Sequence, residues 1–141
     1  MKVFFDTSVL IAAALVQHVH HQASFAAYSA ADKKHCACAA HSLAEVYSTV
    51  TRLPGQHRVS CEQALVLLED ITQRLTTVAL DGKEYCSAIA AAAGEGILGG
   101  TVYDALLAHC ALKTRADVIY TWDVRDFQRL GPEIAKRART P

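Results

Sequence analysis

Four acidic residues, Asp6, Glu45, Asp104 and Asp123, stand where a chain places groups that do chemistry. Asp6 closes a short apolar run, Val3-Phe4-Phe5, and Asp123 closes another, Val118–Trp122. Both runs read as buried strands, and in open parallel sheets ligands gather beyond the carboxyl ends of the strands. Glu45 and Asp104 fall in the first turn of predicted helices, and helices that follow strands begin at that same edge. Carboxylates brought together there repel one another unless a cation lies between them. All-oxygen ligation, with no His or Cys at metal spacing, selects Mg²⁺ or Mn²⁺ over zinc.

Each acid taken alone has a plainer explanation. Ser42-x-x-Glu45 has the form of a capping box, and Thr101-x-x-Asp104 resembles one. Asp6 and Asp123 fit the N-cap of a strand-to-helix turn. Asp104 decides between the two. On its helix it shares a face with Leu107, Ala108 and Ala111, and a carboxylate on an apolar stripe must be paired or metal-bound.

The elements that must position these acids alternate in type. Strands are expected at Val3–Phe5, Cys36–Ala40, Thr77–Leu80 and Val118–Trp122. Helices are expected over Val9–Val16, Gln22–Ala31, Ser42–Arg52, Ser60–Leu75, Lys83–Ala93 and Thr101–Lys113, with a helical turn at Asp126–Leu130. Ser60 with Gln63 forms a capping box. Gly94, Gly96, Gly99 and Gly100 concentrate in one loop ahead of Asp104. Alternation of this kind means an α/β fold with a mostly parallel sheet covered on both faces.

The chain has 141 residues, 52% of them apolar and 20% charged, the size and composition of one domain spanning residues 1–141 rather than a disordered tail. Its 14 basic and 14 acidic residues cancel, although from Lys113 onward seven basic residues face four acids. The longest apolar run, Val9–Val16, is eight residues, too short to span a bilayer, for which about 18 are needed. Five cysteines without C-x-x-C spacing suit buried thiols in a reducing cytoplasm.

The motifs around the four acids resemble those of the PIN-domain ribonucleases, and within them the VapC-type toxins of bacterial toxin–antitoxin pairs. Val3-Phe4-Phe5-Asp6-Thr7-Ser8-Val9-Leu10-Ile11 is similar to the family's first motif, and Ala44-Glu45-Val46-Tyr47 with Thr51-Arg52-Leu53-Pro54 to its second. Gly99-Gly100-Thr101-Val102-Tyr103-Asp104-Ala105-Leu106-Leu107-Ala108 resembles the third, and Tyr120-Thr121-Trp122-Asp123-Val124-Arg125-Asp126-Phe127 the fourth. The resemblance runs from Met1 to about Pro132. It implies a PIN-like three-layer α/β/α fold and Mg²⁺-dependent cleavage of RNA phosphodiester bonds. Asp6, Glu45, Asp104 and Asp123 are then both catalytic residues and metal ligands, with Ser8, Thr121 and Asp126 in an outer ring. It also implies a small antitoxin partner and a homodimer, with Val9–Val16 and Ala44–Thr51 as candidate interface surfaces.

Arg125, Arg129, Lys136 and Arg137 are candidates to grip the RNA backbone. His18, His20 and His21 read as a solvated loop, Cys36 and Cys38 as packing thiols, and Tyr28, Tyr47 and Tyr103 as core or interface rings rather than base-stacking ones. A receiver-type signalling module, also α/β with clustered acids, lacks its adjacent acids here, since Asp6 stands alone after the first strand. The remaining alternative is a PIN-like domain that binds RNA or a partner without cutting.

Overall fold

The computed structural model describes residues 1–141. Five strands form one sheet: β1 (Val3–Phe5), β2 (Cys36–Ala39), β3 (Thr76–Val78), β4 (Val118–Tyr120) and β5 (Ala138–Arg139). Every pairing is parallel, in the order β3-β2-β1-β4-β5. The chain lays down β1, β2 and β3 outward to one side. It then returns to place β4 on the free edge of β1. The order therefore reverses between β1 and β4, and their carboxyl ends open the crevice that parallel sheets use for ligands.

Alternation along β1 separates two cores. Phe4 faces one and Phe5 the other, and both are fully buried. On the Phe5 side lie α1 (Thr7–Ala14), α2 (His21–Ser29), α3 (Ala40–Thr51) and α4 (Cys61–Arg74). On the Phe4 side lie α5 (Gly82–Gly94), α6 (Val102–Lys113), α7 (Val124–Gln128) and α8 (Pro132–Ala135). This is the expected three-layer α/β/α arrangement, with the sheet wholly rather than mostly parallel. Ser60 and Gln63 make their reciprocal bonds at the start of α4, and Asp81 with Glu84 does the same for α5.

Boundaries shift where the sequence carries no stop signal. α1 begins at Thr7 and ends at Ala14, so Val16 is not helical and is 79% exposed. Val9, Leu10, Ala12 and Ala13 are spent on the chain's own core. Little of Val9–Val16 is left for the expected dimer contact. β3 ends at Val78, and β2 runs straight into α3, which starts at Ala40 rather than Ser42. β5 and α8 were not expected: two residues, Ala138 and Arg139, are too few to show alternation.

α6 ends in a Schellman turn. Ala116 N–H donates to Ala111 O at 3.1 Å and Arg115 N–H to Leu112 O at 3.0 Å. Arg115 holds the left-handed position, φ 56°, which glycine usually fills. For a residue with a Cβ that conformation costs roughly 1–2 kcal/mol.

Candidate active site

β1 and β4 deliver Asp6 and Asp123 to the crevice, α3 delivers Glu45 and α6 delivers Asp104. All four carboxylates line one cleft of about 230 Å³, with Thr7, Ser8, Ile11 and Leu107. None of them caps a helix through its side chain. Asp6 and Asp123 occupy N-cap positions without a side-chain cap bond, and neither Ala39, the N-cap of α3, nor Thr101, that of α6, makes one. The expected capping box at Ser42 fails because α3 starts two residues earlier. That puts Glu45 in the second turn rather than the first, on the face toward the cleft.

Hydroxyl groups hold the acids in place. Asp6 is buried, and its Oδ2 accepts from Ser8 Oγ at 2.7 Å and from Thr121 Oγ1 at 2.8 Å. Both hydroxyls also accept from the chain after β4: Trp122 N–H donates to Ser8 Oγ at 3.0 Å and Asp123 N–H to Thr121 Oγ1 at 2.9 Å. The pair thus ties the end of β1 to the end of β4 and leaves the other oxygen of Asp6 without a side-chain partner. Thr7 Oγ1 lies 2.9 Å from Glu45 Oε1 and 2.8 Å from the buried Ser42 Oγ. One hydroxyl has one proton; given to the Glu45 carboxylate, it leaves Thr7 to accept from Ser42.

The electrostatics are those of an uncompensated negative cluster. Burial pushes the Asp6 carboxyl up to about 6 against the lowering effect of its two hydroxyl donors, and the Asp123 charge adds to the rise. Asp104, half-buried, is pushed up to about 7, first by burial and then by the charges of Asp6, Asp123, Asp126 and Glu45. Asp123 is raised by burial and by Asp126. No lysine or arginine forms an ion pair with any of these five; the nearest cationic candidate is His41 Nε2, 4.0 Å from Glu45 Oε1. The acids line an open cleft, and no three of them close into a preformed cage. Like charges keep them apart, and the all-oxygen donor set suits a hard divalent cation that would draw them in.

A profile of the PIN domain matches residues 3–132, nearly the whole chain. The chain belongs to the PIN-domain family. Among PIN-domain relatives, ribonuclease VapC40 of Mycobacterium tuberculosis is 33% identical over 132 residues, 92% of this chain and 94% of that protein. Ribonuclease VapC27 of the same organism is 32% identical over 137 residues, 94% and 95% of the two chains. The fold is similar to that of M. tuberculosis VapC20, a sarcin–ricin loop cleaving toxin, with a TM-score of 0.71 at 15% identity over 86% of this chain and 90% of that one. It is also similar to a chain of VapBC2 from Rickettsia felis bound to a promoter DNA fragment, with a TM-score of 0.65 at 18% identity over 99% and 98%.

In this PIN domain Asp6, Glu45, Asp104 and Asp123 come together, with Ser8 and Thr121 directly behind Asp6 and Asp126 close enough to raise its neighbours. The basic candidates do not stay together. Arg125 and Arg129 are exposed around α7, which starts at the acid edge. Lys136 and Arg137 precede β5 and so lie at the opposite, amino edge. Both pair with Glu133, and Arg137 Nε donates to Ala116 O at 2.9 Å. They hold α8 and the strand ends, at the edge away from the acid cleft.

The histidine loop is packed rather than solvated. His20 stacks on Trp122 with centroids 3.7 Å apart, and His21 Nδ1 lies 2.9 Å from Ala12 O. Trp122 Nε1 donates to the buried Ser24 Oγ at 2.8 Å and so clamps α2 beside the acid edge. The roles of Thr7 and Ser42 as supports of Glu45 were missed. Their only signal was a pair of hydroxyl residues 35 positions apart, which means nothing until β1 and β2 pair.

Proposed function

We propose that this chain is a Mg²⁺-dependent endoribonuclease, the toxin of a VapBC-type toxin–antitoxin pair. The observation that carries the reading is the set of four carboxylates sharing one cleft at the β1/β4 switch point without a basic side chain to neutralise them. Membership of the PIN-domain family and relatives named as ribonucleases supply the reaction class.

Asp6 and Asp104 would hold the cation, and Glu45 and Asp123 would complete its oxygen shell or orient the attacking water. Bound there, Mg²⁺ or Mn²⁺ offsets charge developing on the phosphate oxygens and makes a water acidic enough to attack near neutral pH. The chain's own groups prepare that site. Ser8 and Thr121 fix the plane of the Asp6 carboxylate and aim its free oxygen into the cleft. Thr7, backed by Ser42, does the same for Glu45. Asp104, whose carboxyl burial and the neighbouring acids raise to about 7, would be held ionised by a bound cation. Arg125, exposed two residues beyond Asp123, is the basic residue best placed to meet the RNA backbone beside the cut.

The partner is a small antitoxin whose basic side chain is attracted to the acid cleft and covers it. The active form is a homodimer that uses the outer surface of α3, where Ala44 and Ser48 are exposed. The experiment is a brief expression of the chain followed by mapping of cut ends on total RNA, with and without the neighbouring small reading frame. New ends at defined sites, silenced by the neighbour, are expected. Intact RNA in cells that hold folded protein would remove the nuclease reading. Cutting that no neighbour silences would remove only the toxin role.

A further inference from the structure

A cleft of about 380 Å³, larger than the acid cleft, lies at the opposite end of the strands. Lys2 enters it from the start of β1, Lys33, Lys34 and His35 from the start of β2, and Lys113 and Arg115 from the end of α6. No carboxylate lines it. Five of the chain's 14 lysines and arginines therefore share one surface, on a protein whose net charge is zero.

A structural explanation covers part of this set. Helix carboxyl ends point to this edge, and cations there offset the dipole. Lys113 Nζ donates to Ala79 O and pairs with Glu84, and Lys33 Nζ donates to Thr72 O near the end of α4. His35 is paired with Asp32. Lys2 Nζ, Lys34 Nζ and the Arg115 guanidinium have no hydrogen-bond or ion-pair partner at all, and the three residues are exposed. Arg115 also occupies the left-handed position that glycine would fill without strain, at a cost of roughly 1–2 kcal/mol that exceeds the roughly 0.3–1 kcal/mol a cation gains at a helix end. An unfavourable backbone that carries a free cation into a cleft points to a ligand rather than to packing.

We propose that this amino-edge cleft binds the phosphate backbone of RNA, away from the cutting edge. The inference rests on the ribonuclease reading for its choice of polyanion. The acid cleft repels RNA until a cation fills it, so basic side chains outside that cleft must supply the backbone affinity, and this surface holds three unpaired cations. From Lys2 to Asp6 the distance is on the order of 13 Å at about 3.3 Å per strand residue. A separation of that order lies within the reach of one extended RNA strand.

The test is fluorescence anisotropy of a labelled 20-nucleotide RNA in chelator, where no cutting occurs, across a range of salt. The proteins are the full-length parent, the triple variant Lys2→Ser/Lys34→Ser/Arg115→Gly, and Arg115→Gly alone. Arg115→Gly relaxes the backbone and should melt no lower than the parent, so lost binding cannot be assigned to misfolding. The triple variant should bind at least tenfold more weakly near physiological salt. The slope of log K against log[salt] should become shallower by about two, since each single-strand phosphate contact contributes roughly 0.7. Equal affinities and slopes, or a parent with no measurable RNA affinity in chelator, would overturn the proposal. So would a cleft that binds inorganic phosphate or poly-glutamate in the same assay while RNA affinity is insensitive to the substitutions. None of these results bears on Mg²⁺-dependent cutting, which is read separately through the acid variants.

Discussion

Removing one acid from the cluster should stabilise the protein when no metal is present. Asp104→Asn keeps the size of the side chain and deletes a carboxyl whose folded value, about 7, lies well above its ordinary 3.8. The sign follows from proton linkage. A carboxyl raised in the folded state holds its proton more tightly there than in the unfolded chain, so stability falls as pH rises from about 4 to about 7. A shift of some three units corresponds to about 4 kcal/mol at full value; Asp104 is only half-buried, and solvent screening reduces this to roughly 1–2 kcal/mol. For a chain of this size that is about 3–6 °C in melting temperature.

Thermal melts at pH 5 and pH 8, in chelator and in Mg²⁺, read the effect. At pH 8 in chelator the variant should melt above the parent, and at pH 5, only about one unit above the ordinary 3.8, the gap should shrink to less than half. Mg²⁺ should raise the parent by mass action and the variant much less. A variant destabilised by about 1 kcal/mol under every condition, the ordinary cost of a lost cap, would refute the reasoning and return Asp104 to a structural role.

Thr121→Val removes a donor to Asp6 Oδ2 and the acceptor for Asp123 N–H, so it should lower stability by about 1–3 kcal/mol and cleavage by 10–100-fold, with the activity profile moved to higher pH as the Asp6 carboxyl rises further. Unchanged activity and pH profile would show the hydroxyl to be incidental. Arg137→Ala should lower the melting temperature through loss of the bond to Ala116 O and the pair with Glu133, while RNA cleavage at a temperature well below the melt stays within about twofold; a selective loss of cleavage would restore Arg137 to the site. Asp6→Asn in chelator should be the most pH-independent of the acid variants between pH 4 and 7, because its parent carboxyl is the most deeply buried of the four and titrates near 6.

The sequence carried the acid constellation because strand ends and apolar periodicity are local signals. Val3-Phe4-Phe5 before Asp6, and Asp104 on the stripe of Leu107, Ala108 and Ala111, are each legible within a few residues. What supports Glu45 was not legible: the Thr7–Ser42 contact exists only because β1 and β2 pair in register and β2 passes directly into α3. The same holds for the basic residues. Lys136 and Arg137 sit close in sequence to Arg125 but on the other side of a crossing through α8, so a charge count along the chain grouped residues that the fold divides. Lys2, Lys34 and Arg115, far apart in sequence, were joined by the parallel register of β1 and β2 and the end of α6.

The most direct measurement is RNA cleavage by the purified chain as a function of Mg²⁺, beside Asp6→Asn, Glu45→Gln, Asp104→Asn and Asp123→Asn. One site held by four carboxylates predicts no cutting in chelator, recovery with Mg²⁺ or Mn²⁺, and a fall of at least about 100-fold in each variant, consistent with loss of a charge that stabilises the transition state. Cutting that persists in chelator, or that survives intact in the Asp6 and Asp104 variants while these remain folded, would contradict it.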